Sequence, residues 1–390
     1  LAHALLDDTL AIMANLIAFR SVSQDSNLDL IAYINQRLDQ IGARTTLTLD
    51  PDGTKANLFA TLGPPDMDGG IVLSGHTDVV PIEGQDWTSD PFLADRRGDR
   101  IYGRGTCDMK GFLACALAFG PLFAEAGLQR PIHMAFTYDE EVGCLGAQVM
   151  LDQLASAGRK PAVCIVGEPT DMQIIEGHKG CCEYTTSFTG AEGHASQPDL
   201  GVNAVEYAVR FVTRLLEIGE VLKTRAPAQS RFDPPWSTIQ VGRMAGGIAR
   251  NVIAGACSVD WELRPVSASD FAYARSQIEA YVETDLLPRM RRVSPEASVI
   301  TQIIGEVAGL EPMSQSEADA LVRSLTGNRN PATCVSFGTE AGLFQQHGIS
   351  TVICGPGSIA HAHKPDEYIE LSQVDACLSM LDRLGRQLAG

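Results

Sequence analysis

Two hydrophobic rhythms alternate along the chain and predict most of its elements. Apolar residues recur at helical spacing over residues 1–19 and 28–41, and strands are predicted at 44–49 and 57–61. The run Gly70-Ile71-Val72-Leu73 predicts a buried strand that turns polar at its end, in Ser74-Gly75-His76-Thr77-Asp78. Residues 81–100 read as a loop pinned by Trp87 and Phe92, and the glycine-punctuated stretch 101–111 leads into a helix over 112–126. A buried strand over 131–137 ends in Tyr138-Asp139-Glu140-Glu141, and a helix follows over 146–154. The next strand, 162–166, ends in Gly167-Glu168-Pro169-Thr170. Strands that alternate with helices and gather polar residues at their ends argue for a three-layer α/β domain. In such sheets ligands bind beyond the carboxyl ends of the strands.

From residue 179 the rhythm changes. A strand (183–189), a helix (202–222), two strands (238–244 and 253–263), a helix (268–287) and a strand (298–304) follow. This is the β-α-β-β-α-β order of a ferredoxin-like unit, and it reads as an inserted α+β domain. The α/β pattern then resumes with a helix (317–325), a strand (333–336), a helix (340–347), a strand (351–354) and a final helix (373–388). The predicted organisation is therefore a first domain in two parts, 1–178 and 312–390, interrupted by a second over 179–311. No internal repeat or low-complexity linker is evident.

Composition narrows the class. A hydrophobic fraction of 45% and a charged fraction of 20% are ordinary for a globular protein. A formal charge of −18 argues against nucleic-acid and anionic-membrane partners, which gain nothing from an acidic surface. The ten cysteines are irregularly spaced with no CxxC, which predicts reduced thiols and a cytoplasmic protein. Residues 1–19 carry Asp7 and Asp8 and no basic stretch, so they read as an amphipathic helix and not a signal peptide. No apolar run reaches the length of a membrane span.

The polar strand ends change the picture most. His76 and Asp78, two apart on an extended segment, share a face, and a carboxylate beside an imidazole fixes its tautomer. Alone, the pair could equally be a polar cap. With Asp108, Glu140, Glu141, Glu168, His361 and His363 it becomes a set of carboxylates that repel unless cations neutralise them. Two histidines and three carboxylates offer the mixed N/O ligation that zinc accepts in catalytic sites. A carboxylate shared by two ions about 3.5–4 Å apart would make a two-metal hydrolytic centre, and Asp108 on its glycine-flanked loop is the natural bridge. Glu140 and Glu141 point opposite ways from an extended segment, so one can ligate while its neighbour serves as general base. Spacing does not say which.

These blocks resemble a known family. Ser74-Gly75-His76-Thr77-Asp78-Val79-Val80-Pro81, Gly103-Arg104-Gly105-Thr106-Cys107-Asp108-Met109-Lys110-Gly111, Asp139-Glu140-Glu141 and Gly167-Glu168-Pro169-Thr170 resemble the signatures of the dinuclear-zinc M20 metallopeptidases, in order and over the whole chain. The resemblance implies a zinc-exopeptidase-like catalytic domain with an inserted lid and dimerisation domain. It implies two divalent ions, zinc or alternatively cobalt, with His76 and Glu168 on one, Glu141 and His363 on the other, and Asp108 bridging. Asp78 would orient His76, and Glu140 would be the general base. His194 in Gly193-His194-Ala195-Ser196 would reach the partner subunit's site in a homodimer and help hold the oxyanion. Asn251, Arg264, Gly338 and Thr339 match substrate-contacting positions.

Within the family, His178-Lys179-Gly180, Gly201-Val202-Asn203-Ala204, Thr339-Glu340-Ala341, Gly355-Pro356-Gly357-Ser358-Ile359 and Ala362-His363-Lys364-Pro365-Asp366-Glu367-Tyr368 resemble the acetylornithine deacetylase branch. That implies a small N-acyl amino acid, N2-acetyl-L-ornithine, as substrate; the alternatives are a desuccinylase or general aminoacylase acting on another N-acyl amino acid, and a catalytically silent relative that binds a ligand. The desuccinylase branch would place an arginine near residues 179–182, where this chain has Lys179 and two cysteines. Cys107 departs from the family, which commonly has alanine there. Bland readings stand beside the sharp ones: His194 as a turn histidine, Asn251 and Arg264 as strand-end hydrogen-bonders, and Thr339 as a helix cap.

Overall fold

The computed structural model describes residues 2–64 and 66–389, with side chains from Leu5 onward; Leu1 and Gly390, the outer ends of the predicted domains, lie outside the described residues. The chain divides into two compact units. One comprises the residues up to Gly177 with Pro312–Thr333 and those from Thr339, and the other is His178–Glu311 with Cys334–Gly338.

The first unit is built on an eight-stranded sheet. Its spatial order is Arg44–Leu49, Ala56–Leu62, Ile132–Thr137, Ile71–His76, Val163–Pro169, Ser350–Gly355, Ile175–His178 and the short Thr333–Val335, the first unit's share of the last two ending at Gly177 and Thr333. The four central strands, from Ile132–Thr137 to Ser350–Gly355, run parallel, with His76 opposite Thr137 and Ser74 opposite Val166. Three of them are buried along their full length, as parallel strands covered on both faces must be. This explains their unbroken apolar runs.

The helix Lys110–Glu125 lies under the sheet with Ala2–Ala18, Leu28–Gln40 and Leu371–Leu388, while Leu145–Ser156 and Ala341–Gln346 cover strands of the same sheet and contact each other. Phe112 and Leu113, each 1% exposed, show why Lys110–Glu125 is held so firmly. Burying a side chain of that size contributes roughly 1.5–3 kcal/mol. Gly167, one residue before Glu168, faces the Phe112 ring so closely that a Cβ would fall inside it.

The second unit has a four-stranded antiparallel sheet in the order Thr238–Gly246, Ala256–Arg264, Cys181–Thr189, Ser298–Val307. Helices Ala204–Thr224 and Ala268–Tyr281 pack on it around Phe188, Phe211 and Trp261. This is the ferredoxin-like order expected from the sequence.

Four expectations need correction. The loop over 81–100 ends in the strands Asp95–Arg97 and Arg100–Tyr102, which pair with Tyr368–Glu370 in a ribbon too short to show a period. The strand over 253–263 is interrupted after Ile253: Val252–Ile253 pairs with Gly193–His194, and Ala256–Arg264 joins the sheet. The helix over 268–287 continues through a π-type turn, Val282–Leu286, to Arg291. The segment Cys334–Gly338, within a stretch expected in the first unit, groups with the second.

Candidate metal centre

The carboxyl ends of the four parallel strands converge, and each delivers acidic or imidazole groups. His76 ends one strand, Glu168 lies near the end of the next, Asp139-Glu140-Glu141 follows Thr137, and the loop after Gly355 carries His363. Asp108 enters from the loop that precedes Lys110–Glu125. Two clusters result, His76–Asp108–Glu168 and Asp108–Glu141–His363. Asp108 belongs to both. Its Oδ1 lies 3.0 Å from His76 Nε2 and its Oδ2 lies 3.2 Å from His363 Nε2. His76 Nε2 is also 3.7 Å from Glu168 Oε1, and His363 Nε2 is 3.1 Å from Glu141 Oε2.

The electrostatics fit cations. Burial pushes Glu140, Glu168 and Glu141 above the ordinary carboxylate range, and neighbouring carboxylates, Asp108 among them, push the same way. Burial alone would lower His76, yet its hydrogen bond to Asp108 and the charges of Glu168 and Glu140 raise it well above the ordinary value. Hydrogen bonds to Asp108 and Glu141 raise His363 to about 10. Burial opposes the ionisation of Asp108, but His363 and His76 hold it below the usual range. Imidazolium protons are thus called on to offset carboxylate charge, a role that divalent ions fill with more charge and better-matched geometry. Glu168 Oε1 is buried without a hydrogen-bond partner and faces this space. A buried carboxylate oxygen beside an imidazole, with no hydrogen bond among the described residues, fits a cation ligand.

The supporting contacts differ in part from expectation. The group nearest to His76 Nδ1 is the Asp78 backbone carbonyl at 2.9 Å, while the Asp78 carboxylate is 3.7 Å away. That carboxylate instead accepts from Ser23 Oγ at 2.7 Å and from the backbone N–H groups of Glu140 at 3.1 Å and Glu141 at 3.3 Å. Asp78 therefore braces the turn that carries both glutamates. Nor is that turn extended: Asp139 has φ +54° and pairs with Lys55 Nζ at 2.6 Å, so the strand alternation expected for Glu140 and Glu141 does not apply.

His361 stacks on Tyr368 with ring centroids 4.1 Å apart and stands outside both clusters. Cys107 is buried and its Sγ donates to the Ser358 carbonyl at 3.2 Å. Sequence reasoning gave no role to three buried ionisable groups beneath the site. Glu340 accepts from Ser74 Oγ and from Thr137 Oγ1, the latter at 2.8 Å. Lys110, lowered to about 7 by burial, donates to the Leu16 and Phe19 carbonyls. Glu367 holds the Asp108 loop by its backbone. A charged residue at the head of an apolar helix, and a glutamate four positions after His363, were the available signals.

In the second unit, His194 and Asn251 are neighbours: His194 pairs with Val252, and the Ala195 N–H donates to the Asn251 carbonyl. Both side chains are exposed. Arg264 makes a two-pronged ion pair with Glu262 at 3.0 and 3.1 Å. Gly338 lies beside Cys181 and Val307. Thr339, in the first unit, is buried and its hydroxyl accepts from the Ala341 N–H at 3.1 Å, a side-chain turn just ahead of the helix Ala341–Gln346 and not an N-cap bond. Among the described residues, no helix is long and apolar enough to cross a membrane.

Comparison with known proteins agrees with this geometry. The chain is similar to an acetylornithine deacetylase of Myxococcus xanthus, with 34% identity covering 97% of each chain. Its fold is similar to that of aminopeptidase PepT from Bacillus cereus, with 16% identity, 99% of each chain covered and a TM-score of 0.71. It is also similar to that of a Bacillus subtilis protein described as a dinuclear metal binding peptidase from the M20 family, with 14% identity, 99% of each chain covered and a TM-score of 0.63. The family described as peptidase family M20/M25/M40 matches residues 72–387, and the chain belongs to it, as a hydrolase of amide bonds.

Proposed function

We propose that this hydrolase uses two divalent cations to remove the acetyl group from N2-acetyl-L-ornithine, giving L-ornithine and acetate on the way to arginine. The observation that carries the two-cation reading is Asp108, which turns one oxygen to each cluster. His76 and Glu168 would hold one cation, and Glu141 and His363 the other. The donor set suits zinc, with cobalt the alternative. Cations held there supply Lewis acidity toward the acyl carbonyl and lower the pKa of water.

The protein's own groups do the rest. Glu140 takes a proton from water and delivers it to the leaving amine, a shuttle favoured by a carboxyl whose proton affinity burial has raised. His194 serves as oxyanion donor: the Ser196 N–H donates to its Nδ1 at 3.2 Å, so the neutral ring carries its proton on Nε2. Asn251, Arg264, Gly338 and Thr339 contact substrate in this reading.

The second unit serves as lid and dimerisation domain. The edge strand Ser298–Val307 supports this, because Ile300, Ile303 and Ile304 are all more than half exposed on a strand whose outer side is unpaired. The ten free cysteines suit a reducing cytoplasm.

The substrate rests on the deacetylase relatives and on residues 179–182, where this chain has Lys179 and two cysteines and a desuccinylase would place an arginine nearby. Release of free amine from N2-acetyl-L-ornithine, N-succinyl-diaminopimelate and N-acetylmethionine tests it, before and after chelation and on adding back zinc or cobalt. The expected result is cation-dependent turnover fastest on acetylornithine. Faster turnover of another substrate overturns the substrate, and undiminished turnover after complete cation removal overturns the mechanism.

A further inference from the structure

Glu367 lies four residues after His363, and its carboxylate is enclosed by the loop that carries Asp108. Oε1 accepts from the backbone N–H groups of Cys107 at 2.9 Å and Asp108 at 3.0 Å. Oε2 accepts from the Gly105 N–H at 3.1 Å and from Arg104 Nη1 at 2.8 Å. The Glu367 carbonyl in turn accepts from the Gly103 N–H at 2.9 Å. Both Glu367 and Arg104 are 1% exposed, and Arg104 is fixed on its other side by Gln85 Oε1 at 2.5 Å and by the Trp87 ring. Consecutive N–H groups aimed at one carboxylate form an anion nest, here filled by a side chain of the protein itself.

The connectivity gives this nest a purpose beyond folding. Asp108 supplies one oxygen to each cluster, so the position of its backbone sets both clusters at once. The Asp108 amide is one of the bonds to Glu367, while His363, on the same short segment, reaches Asp108 Oδ2 and Glu141. One stretch of chain therefore provides a ligand and anchors the shared carboxylate. His76 and Glu168, by contrast, are set by neighbouring parallel strands that owe nothing to Glu367.

We infer that Glu367 is a positioning residue that fixes the shared Asp108 carboxylate against His363, and so governs the affinity of the Asp108–Glu141–His363 cation more than that of the His76–Asp108–Glu168 cation. This rests on the two-cation reading above.

The test is calorimetric titration of metal-free protein with zinc, with cobalt absorption as a second readout. The parent, Glu367→Gln, Glu367→Asp and His363→Ala are compared, and thermal melting is recorded on the metal-free forms. In Glu367→Gln the remaining oxygen goes to the charged Arg104 donor, and the NH2 that replaces the other meets the Cys107 and Asp108 N–H donors, breaking the bond to the Asp108 backbone. The expected result is two equivalents in the parent, with the step that His363→Ala abolishes loosened by roughly 10–100-fold and the step that survives in His363→Ala changed far less. Glu367→Asp keeps the charge beside Arg104 but withdraws the carboxylate from the Cys107 and Asp108 amides; it should show the same selective loss to a smaller degree, and it stands in if the glutamine variant does not fold. Lower melting temperatures with both affinities unchanged, or both loosened equally, overturn the inference. A parent that binds a single equivalent overturns the two-cation reading and this inference with it.

Discussion

The strand-end cluster of the first unit and the ribbon of the second carry functional candidates of opposite physical character. In the cluster, His76, Asp108 and Glu168 are at most 5% exposed, held by buried partners, and shifted in proton affinity by one another. On this ribbon, where Gly193–His194 pairs with Val252–Ile253, His194 and Asn251 are exposed, and their hydrogen bonds run to Ser196 and Ala195 of the same turn. The cluster meets the internal requirement of a site, since buried charge without compensation is costly and its arrangement points to what would compensate it. The ribbon meets no such requirement. Its residues gain a purpose only from what docks beside them.

That contrast can be broken in four ways. The largest effect is expected from Glu140→Gln, which keeps shape and removes the base: kcat should fall about 10²–10⁴-fold with two cation equivalents retained. Loss of cations along with activity would instead make Glu140 a ligand. Next, His194→Ala should lower kcat by about 10²–10³-fold, the range for losing an oxyanion donor, with cation content unchanged. Mixing the two inactive variants under subunit exchange should restore activity if His194 serves the partner's site, because each hybrid then has one complete site. No recovery in verified hybrids would return His194 to its own subunit.

Asp78→Asn should act more mildly, weakening cation binding by roughly 10–100-fold, because its carboxylate holds the backbone of Glu140 and Glu141. An unchanged zinc titration would show that Ser23 and the turn itself suffice. A last test, on stability and not on the site, separates burial from burial beside anions. His133 is buried like His76 but has Thr61 Oγ1 as its partner and no carboxylate, and burial lowers it to about 4 from 6.5.

Above pH 6.5 the ring is neutral whether folded or unfolded, so it imposes no penalty. As pH falls from 6.5 to 4 the unfolded chain binds a proton that the folded chain refuses. Stability should drop there by up to about 1.4 kcal/mol per pH unit and level off below. Urea unfolding of His133→Phe should show a flatter profile in that window than the parent. Parallel profiles would mean that His133 titrates freely.

Legibility in the sequence followed the range of the interactions. The parallel strands and their polar ends were readable because each is a local run whose termini announce themselves, and His76, Asp108, Glu141, Glu168 and His363 converge as expected. What escaped was either too short or too distant. The Asp95–Arg97 and Arg100–Tyr102 strands have three residues each, below any detectable period. Glu367 and Asp108 are 259 residues apart, and nothing local in either marks the bond between them. Asp78 was assigned to its sequence neighbour His76, yet its carboxylate serves a turn more than sixty positions away. Spacing on a strand reports which face a side chain takes, not which partner it meets there.

The close approach of Gly167 to Phe112 has a bearing on how this chain can change over generations. Gly75, one residue before His76, is similarly tight, since a Cβ there would lie 2.5 Å from Met109 Cε. The strands bearing His76 and Glu168 are thus seated on side chains at the start of a single helix, a flexible methionine end under Gly75 and a rigid ring under Gly167. Alanine at position 167 is admissible only alongside a smaller residue at 112, and shrinking Phe112 alone leaves a void under the Glu168 strand. Positions 112 and 167 can therefore change only together. A library that randomises them one at a time should return the parent residues, whereas joint randomisation of 112 with 167 should recover compensated active pairs.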